Sequence, residues 1–120
     1  MSAAAVAGRR VLRGQVYWVD FSPSRGSEQA GRRPALVVQN DVGNCFSPNT
    51  IIAAMTTKVA ENEYPTEVRL PADVFGKPSA VLCAQLLTVS QERLVGEPVV
   101  RLGAPTMDRV DAALRLSLGV

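Results

Sequence analysis

The sequence predicts a mainly β fold, a small, curled, mostly antiparallel β-barrel with one α-helix at its C-terminal end. Two observations carry this expectation. Short apolar, β-branched runs recur along most of the chain, separated by stretches rich in Gly, Pro, Asn and Ser. The last stretch then changes period, from the alternation of strands to the three- and four-residue spacing of a helix. At 120 residues, 47% of them hydrophobic, the chain is long enough for one domain with its own core. No internal repeat, linker or low-complexity tract divides it.

Val16–Phe21 mixes β-branched and aromatic residues and reads as the first strand. Ser22–Arg33, rich in Ser, Gly and Arg, is a loop that is long for so small a domain. Ala35–Gln39 is a short buried strand, and Asn40–Asn49, with Gly43 and Pro48, reads as turns. Thr50–Thr56 is a further apolar strand, followed by a charged loop over Val59–Pro65. Thr66–Leu70 alternates, with Val68 and Leu70 on one face and Glu67 and Arg69 on the other. Ala80–Leu87 is another strand. Ser90–Leu94 fits one helical turn capped by Ser90, and Val99–Leu102 a short last strand. Met107, Val110, Leu114 and Leu118 recur at helical spacing, Pro105 suits a first turn, and Gly119 suits a stop. One helix is therefore expected over Pro105–Leu118. Residues 1–10 are expected as a disordered tail or an expression remnant, with the domain over 11–120.

Composition removes whole classes of chemistry. The chain has no histidine, which excludes Ser-His-Asp and Cys-His triads, histidine metal sites and ribonuclease chemistry by paired histidines. Its two cysteines, Cys45 and Cys83, lack metal-ligand spacing. No metal and no cofactor are expected. The cysteines are read as reduced, which makes the cytoplasm the expected compartment. No apolar run approaches the ~18 residues of a membrane span, and Met1–Gly8 lacks a basic segment ahead of a long apolar one.

The net charge of +2 names no partner, but its distribution is uneven. Residues 1–33 hold six Arg against Asp20 and Glu28, a net of +4, while residues 34–120 hold seven basic and nine acidic residues, a net of −2. Eleven of the thirteen cations are Arg, whose planar fork suits phosphate.

The densest chemical signal is Arg25-Gly26-Ser27-Glu28-Gln29-Ala30-Gly31-Arg32-Arg33-Pro34. Glycines allow close approach to a ligand, exposed amides beside Arg suit a phosphate, and Glu28 could take a proton. Composition alone favours a plain solvated hairpin loop for this stretch. Met55-Thr56-Thr57-Lys58, where a strand meets a polar loop, could donate hydrogen bonds to a phosphate or could simply end the strand. Trp18 and Tyr17 could stack on bases, although core packing is the simpler role for at least one of them. Without His, neither cysteine has the partners of a nucleophile.

These blocks carry a resemblance. Gly14–Phe21 (GQVYWVDF), Gly26–Asn44 (GSEQAGRRPALVVQNDVGN), Phe46–Pro48, Ile51–Thr57, Tyr64–Val68 and Val110–Gly119 resemble, in order, the MazF/PemK toxins of bacterial type II toxin–antitoxin systems. The likeness spans about residues 12–120, and the long GSEQ-to-GN phrase is its most specific part. It implies an SH3-like, CcdB/PemK-like barrel and metal-independent cleavage of single-stranded RNA. There the substrate's own 2′-hydroxyl attacks the phosphate, giving 2′,3′-cyclic phosphate and 5′-hydroxyl ends. It implies catalytic roles for Arg33 and Thr56, with Glu28 as candidate base. RNA contacts would come from Arg25, Ser27, Gln29, Arg32, Thr57, Lys58 and Gln85. It also implies a homodimer and a MazE-like antitoxin whose acidic C-terminal segment binds the toxin. Three positions depart from the family pattern: Cys45 and Leu87 replace common basic residues, and Ala84 replaces an acidic one. Toxins resembling the gyrase poison CcdB share the barrel without cutting RNA and form the alternative reading.

Overall fold

The computed structural model describes residues 9–23 and 31–120. Strands β1 (Gln15–Asp20), β2 (Arg32–Val37), β3 (Asn49–Thr56), β4 (Glu67–Leu70), β5 (Ser79–Ser90) and β6 (Leu94–Arg101) form one sheet in the order β4-β5-β3-β2-β1-β6. All neighbours are antiparallel. Helix α1 spans Asp41–Phe46 and helix α2 spans Ala104–Leu118. The expected barrel is an open one: the sheet curls, but β4 and β6 remain its two edges.

Side chains alternate across a strand, and here both faces are covered. Val16, Leu36, Ala53, Val81 and Cys83 build one core cluster, onto which α2 lays Val110 and Ala113. Tyr17, Val19, Ala35, Val37 and Ile52 build a second cluster from the alternate positions. Burying a valine such as Val110 contributes about 1.5–3 kcal/mol, so α2 is held by packing rather than by its uncapped N-terminus. Its end is set by Gly119 in the left-handed region at φ 74°, whose N–H donates to the Arg115 carbonyl at 2.8 Å. Arg13 ties the pieces together. It pairs with Asp111 of α2 at 2.7 Å, while its backbone N–H donates to Asp41 of α1 at 2.6 Å.

Four expectations change. Residues 40–49 are not all turn, because α1 forms there. The Asn40 side chain accepts from the Gly43 N–H at 2.7 Å, and buried Asn44 is satisfied from outside the helix by Gln39 and Thr50. The strand expected over Val99–Leu102 begins at Leu94. Between Trp18↔Val95 and Val16↔Val100 the β1–β6 register shifts, so Gly96, Glu97 and Pro98 form an edge bulge rather than a turn. The strand over Ala80–Leu87 extends to Ser79–Ser90 because it pairs with β3 along its length. Leu118 is 60% exposed although it continues the apolar stripe of α2.

The turn capped by Ser90 is present as a 3-10 turn over Gln91–Arg93. It places Gln91, 1% exposed, beneath α1. There its amide nitrogen donates to the carbonyls of Asn44 (2.9 Å), Ser47 (3.1 Å) and Asn49 (3.3 Å). A Gln91→Met variant keeps the volume but strands these acceptors. It is expected to lose about 1–3 kcal/mol of stability, read as a lower denaturant midpoint at unchanged m-value.

Candidate active site

The site begins where β1 ends. The Phe21 N–H donates to the Gly31 carbonyl at 2.8 Å, so the chain leaves and re-enters the sheet at one point. Gly31 is required there, because a Cβ would stand 2.9 Å from the Cβ of Ser22. Ser22 is buried and its hydroxyl donates to Asp20. From the 3-10 turn, Arg93 donates to the carbonyls of Asp20 (3.2 Å) and Ser22 (2.5 Å). The end of β1 and the residue ahead of β2 are thus fixed by polar contacts.

On β2, Arg32 pairs with Asp20 and Arg33 with Val19. The β2–β3 ladder runs Val37↔Ile52, Leu36↔Ala53 and Ala35↔Ala54. Extended by two residues, the same register sets Arg33 opposite Thr56. Alternation puts both on the face of Ala35 and Ile52, and directly opposed residues have Cβ atoms about 4.5–5.5 Å apart. Pro34 lies between, without an N–H to continue the ladder.

Arg33 is exposed, and among the described residues no hydrogen bond or ion pair holds its guanidinium. Thr56 is held instead. Its Oγ1 accepts from the Lys58 N–H at 3.0 Å and its hydroxyl donates to the Lys58 carbonyl at 3.5 Å, a local turn that fixes the side chain; the second bond is long enough to be exchanged for a stronger acceptor such as a phosphate oxygen. Beside the pair opens a cavity of about 320 Å³, lined by Phe21, Arg33, Ile52, Gln85, Leu86 and Leu87 among others. A planar five-donor guanidinium and an oriented hydroxyl on one rigid sheet face can together grip the oxygens of a phosphate.

The structure thus brings Arg33 and Gln85 to one cavity, with Thr56 at the end of the neighbouring strand β3. Lys58 is exposed and Thr57 half-buried, both just past the end of β3. Arg32 is half-buried at the start of β2, and its Nε is buried without a hydrogen-bond partner among the described residues. Arg25, Ser27, Glu28 and Gln29 lie outside the described residues. Tyr17 is fully buried with its phenol pushed above the ordinary range by burial, so it offers no stacking face. Trp18 is 42% exposed, but alternation places it on the other face from Arg33, edge-on to Phe75 with ring centroids 6.0 Å apart. Neither cysteine forms a disulfide. Burial pushes the Cys83 thiol up to about 11, which keeps it a neutral core residue. Sequence reasoning missed Phe21, Ile52 and Leu86 as cavity walls. Their strand alternation was visible, but which face carries the cavity follows only from the curl of the sheet.

Comparison with known proteins bears on this geometry. Residues 12–118 match the family described as PemK-like, MazF-like toxin of type II toxin-antitoxin system. The chain is 44% identical over 112 residues to Endoribonuclease EndoA of Bacillus subtilis (strain 168), covering 92% of this chain and 96% of that protein. Its fold is similar to that of MazF (Form-I) from Deinococcus radiodurans, with TM-score 0.74 and 28% identity over 93% of this chain and 99% of that one. It is also similar to a chain of a MazE–MazF structure (Form-III) from the same organism, with TM-score 0.75 and 27% identity over 93% and 99% of the two chains. The chain belongs to the family of PemK-like, MazF-like toxins of type II toxin–antitoxin systems.

Proposed function

We propose that this endoribonuclease toxin cuts single-stranded RNA through the 2′-hydroxyl of its own substrate, with Arg33 and Thr56 gripping the scissile phosphate. What supports the reading is that Arg33 lines a cavity on β2 while Thr56 ends the neighbouring antiparallel strand β3, each two residues beyond the Ala35↔Ala54 pair. The 2′-oxygen forms a bond to phosphorus as its proton passes to a base, and the bond to the 5′-oxygen breaks. That oxygen takes up a proton and leaves as the 5′-hydroxyl, with a 2′,3′-cyclic phosphate on the other product. The attacking oxygen is already next to phosphorus, so the protein supplies position and charge rather than a nucleophile. A guanidinium offers donors and no acceptor, so Arg33 serves as a clamp on the extra negative charge and the leaving oxygen. Thr56 donates to a non-bridging oxygen. Glu28, which lies in sequence between the end of β1 and the start of β2, is the candidate base. Arg25, Ser27, Gln29, Arg32, Thr57 and Lys58 are the candidate RNA contacts around them.

The same reading extends to partners and place. RNA cleavage under antitoxin control belongs in the cytoplasm. Among the described residues no helix is long and apolar enough to cross a membrane. The net +4 of residues 1–33 suits an acidic antitoxin segment, and the chain would act as a homodimer.

Arg33→Ala and Thr56→Ala are each expected to lower the cleavage rate by about 10²–10³, the usual loss for one preorganised donor, with unchanged unfolding transitions. Arg33→Lys should fail as well, because a point charge does not reproduce a bidentate fork. Near-normal rates in folded variants would overturn the assignment.

An RNA oligonucleotide should be cut in the presence of a chelator. The same oligonucleotide with a single 2′-deoxy sugar 5′ of the scissile phosphate should bind and remain intact. Cleavage of the deoxy substrate, or cleavage only on addition of magnesium, contradicts the mechanism. A protein that ignores both oligonucleotides supports the gyrase-binding alternative.

A further inference from the structure

Arg33 owes its place to one neighbouring strand. The residue after it, Pro34, has no N–H to give to β3, and the β2–β3 pairs stop at Ala35↔Ala54, two residues short of Arg33. On the other side Arg33 pairs with Val19, and Arg32 with Asp20. One further bond, from the Phe21 N–H to the Gly31 carbonyl at 2.8 Å, closes this end of the β1–β2 pairing. The position of the Arg33 backbone therefore depends on where the end of β1 is held.

That end is clamped from a distant part of the sequence. Arg93, half-buried in the 3-10 turn ahead of β6, donates from a single nitrogen, Nη1, to the carbonyls of Asp20 at 3.2 Å and Ser22 at 2.5 Å. These two carbonyls flank Phe21, whose side chain lines the cavity beside Arg33. Both belong to buried residues, where a carbonyl left without a donor is costly. The turn that carries Arg93 is itself braced. Arg9 donates to the carbonyls of Gln91 and Leu94, each at 2.6 Å, which bracket Glu92 and Arg93. Its guanidinium also lies 5.3 Å from the centroid of the Tyr17 ring. On the opposite side the Gln91 amide is tied to the Asn44 carbonyl at 2.9 Å. A donor so fixed at its base transmits its position to the strand end that it grips.

We propose that Arg93 is a positioning residue for RNA cleavage. It acts through the backbone of Asp20–Ser22, which sets Phe21 and, across the β1–β2 pairing, Arg33. The inference rests on the reading of Arg33 as the phosphate clamp and adds the residue that keeps this clamp in place. The two arginines do different work. At Arg33 a planar fork meets a phosphate, and lysine should fail. At Arg93 one nitrogen serves two carbonyls, a task that an ammonium with three donors also performs.

The test compares Arg93→Met and Arg93→Lys in the full-length protein. Cleavage of an RNA oligonucleotide is followed at single turnover with protein in excess, below the unfolding transition of every variant. Arg93→Met keeps an apolar stem and loses the donors; its rate should fall by about 10- to 100-fold, the scale of loss for a displacement of about 1 Å. Arg93→Lys should recover most of that loss. Arg93→Gln, with a shorter donor, should fall between them and stands in if Arg93→Met does not fold. In an Arg33→Ala background Arg93→Met should cost nothing further, because its effect passes through Arg33. Arg13→Ala, which breaks the pair with Asp111, controls for lost stability alone and should cut at the normal rate. Hydrogen exchange reads the clamp without RNA. In Arg93→Met the Phe21 amide should exchange at least about 10-fold faster, beyond any change at Ile52 in β3, as expected for lost bonds to a charged donor.

A folded Arg93→Met that cuts at the wild-type rate, a lysine variant as slow as the methionine one, or losses that multiply in the Arg33→Ala background would overturn the inference. So would unchanged exchange at Phe21. Slow Arg33→Ala with normal Arg93→Met contradicts the positioning role alone. Slow, lysine-rescued Arg93→Met with normal Arg33→Ala contradicts the reading of Arg33 as the clamp.

Discussion

A slip of one residue between β2 and β3 would turn Ala35 and Val37 out of one core cluster and Leu36 out of the other, and would carry Arg33 away from Thr56. The pairing of these two central strands is therefore the constraint on which both the packing and the site depend. It is strongly specified, because both faces of the sheet are buried. Leu36 and Ala53 point to the cluster that α2 covers, and Ala35, Val37 and Ile52 point to the one that holds Tyr17. No register displaced by a single residue satisfies both clusters at once.

The polar contacts act on the ends of this arrangement rather than its middle. Gln91 and Asn44 fix α1 ahead of β3, while Asp20, Ser22 and Arg93 fix the start of the loop that follows β1. Each buries polar atoms that would be costly if left unpaired, so each holds one geometry firmly. The outcome is a frame in which the end of β1 and the start of β2 are held at one point, and it presents Arg33, whose guanidinium has no partner among the described residues, near the oriented hydroxyl of Thr56. Preorganised donors of this kind stabilise developing charge without having to reorganise during the reaction.

Much of the fold was legible because its signals are local. Pro105 and Gly119 bracket α2, Ser90 caps the 3-10 turn, and β-branched runs mark β1, β3 and β5. What escaped was set by distant contacts. Helix α1 depends on Thr50 and Gln91, and its own residues, with Gly43 and Asn44, favour turns. The first half of β6 was hidden by Gly96 and Pro98, which an edge bulge tolerates and a central strand would not. Opposite edges of the sheet do not meet, which no local pattern reports. In the site, Arg33 and Thr56 stood out through family resemblance rather than through physical necessity, since a guanidinium in a Gly-rich loop and a threonine ending a strand are ordinary features. Register supplied what the sequence lacked: carried two residues past Ala35↔Ala54, it aligns Arg33 with Thr56. Leu87 was visible as a departure from the family pattern, but its place on the cavity wall follows only from the register shift between Ala53 and Ala54, where β5 bulges.

The central claim is that Arg33 and Thr56 act on one phosphate as a unit. A double-mutant cycle on the single-turnover cleavage rate tests it most directly, using Arg33→Ala, Thr56→Ala and the combination. Residues that stabilise the same transition-state charge are strongly non-additive. The account predicts a double variant about as slow as the slower single variant. Losses that multiply, with each residue contributing its full factor independently of the other, would contradict it.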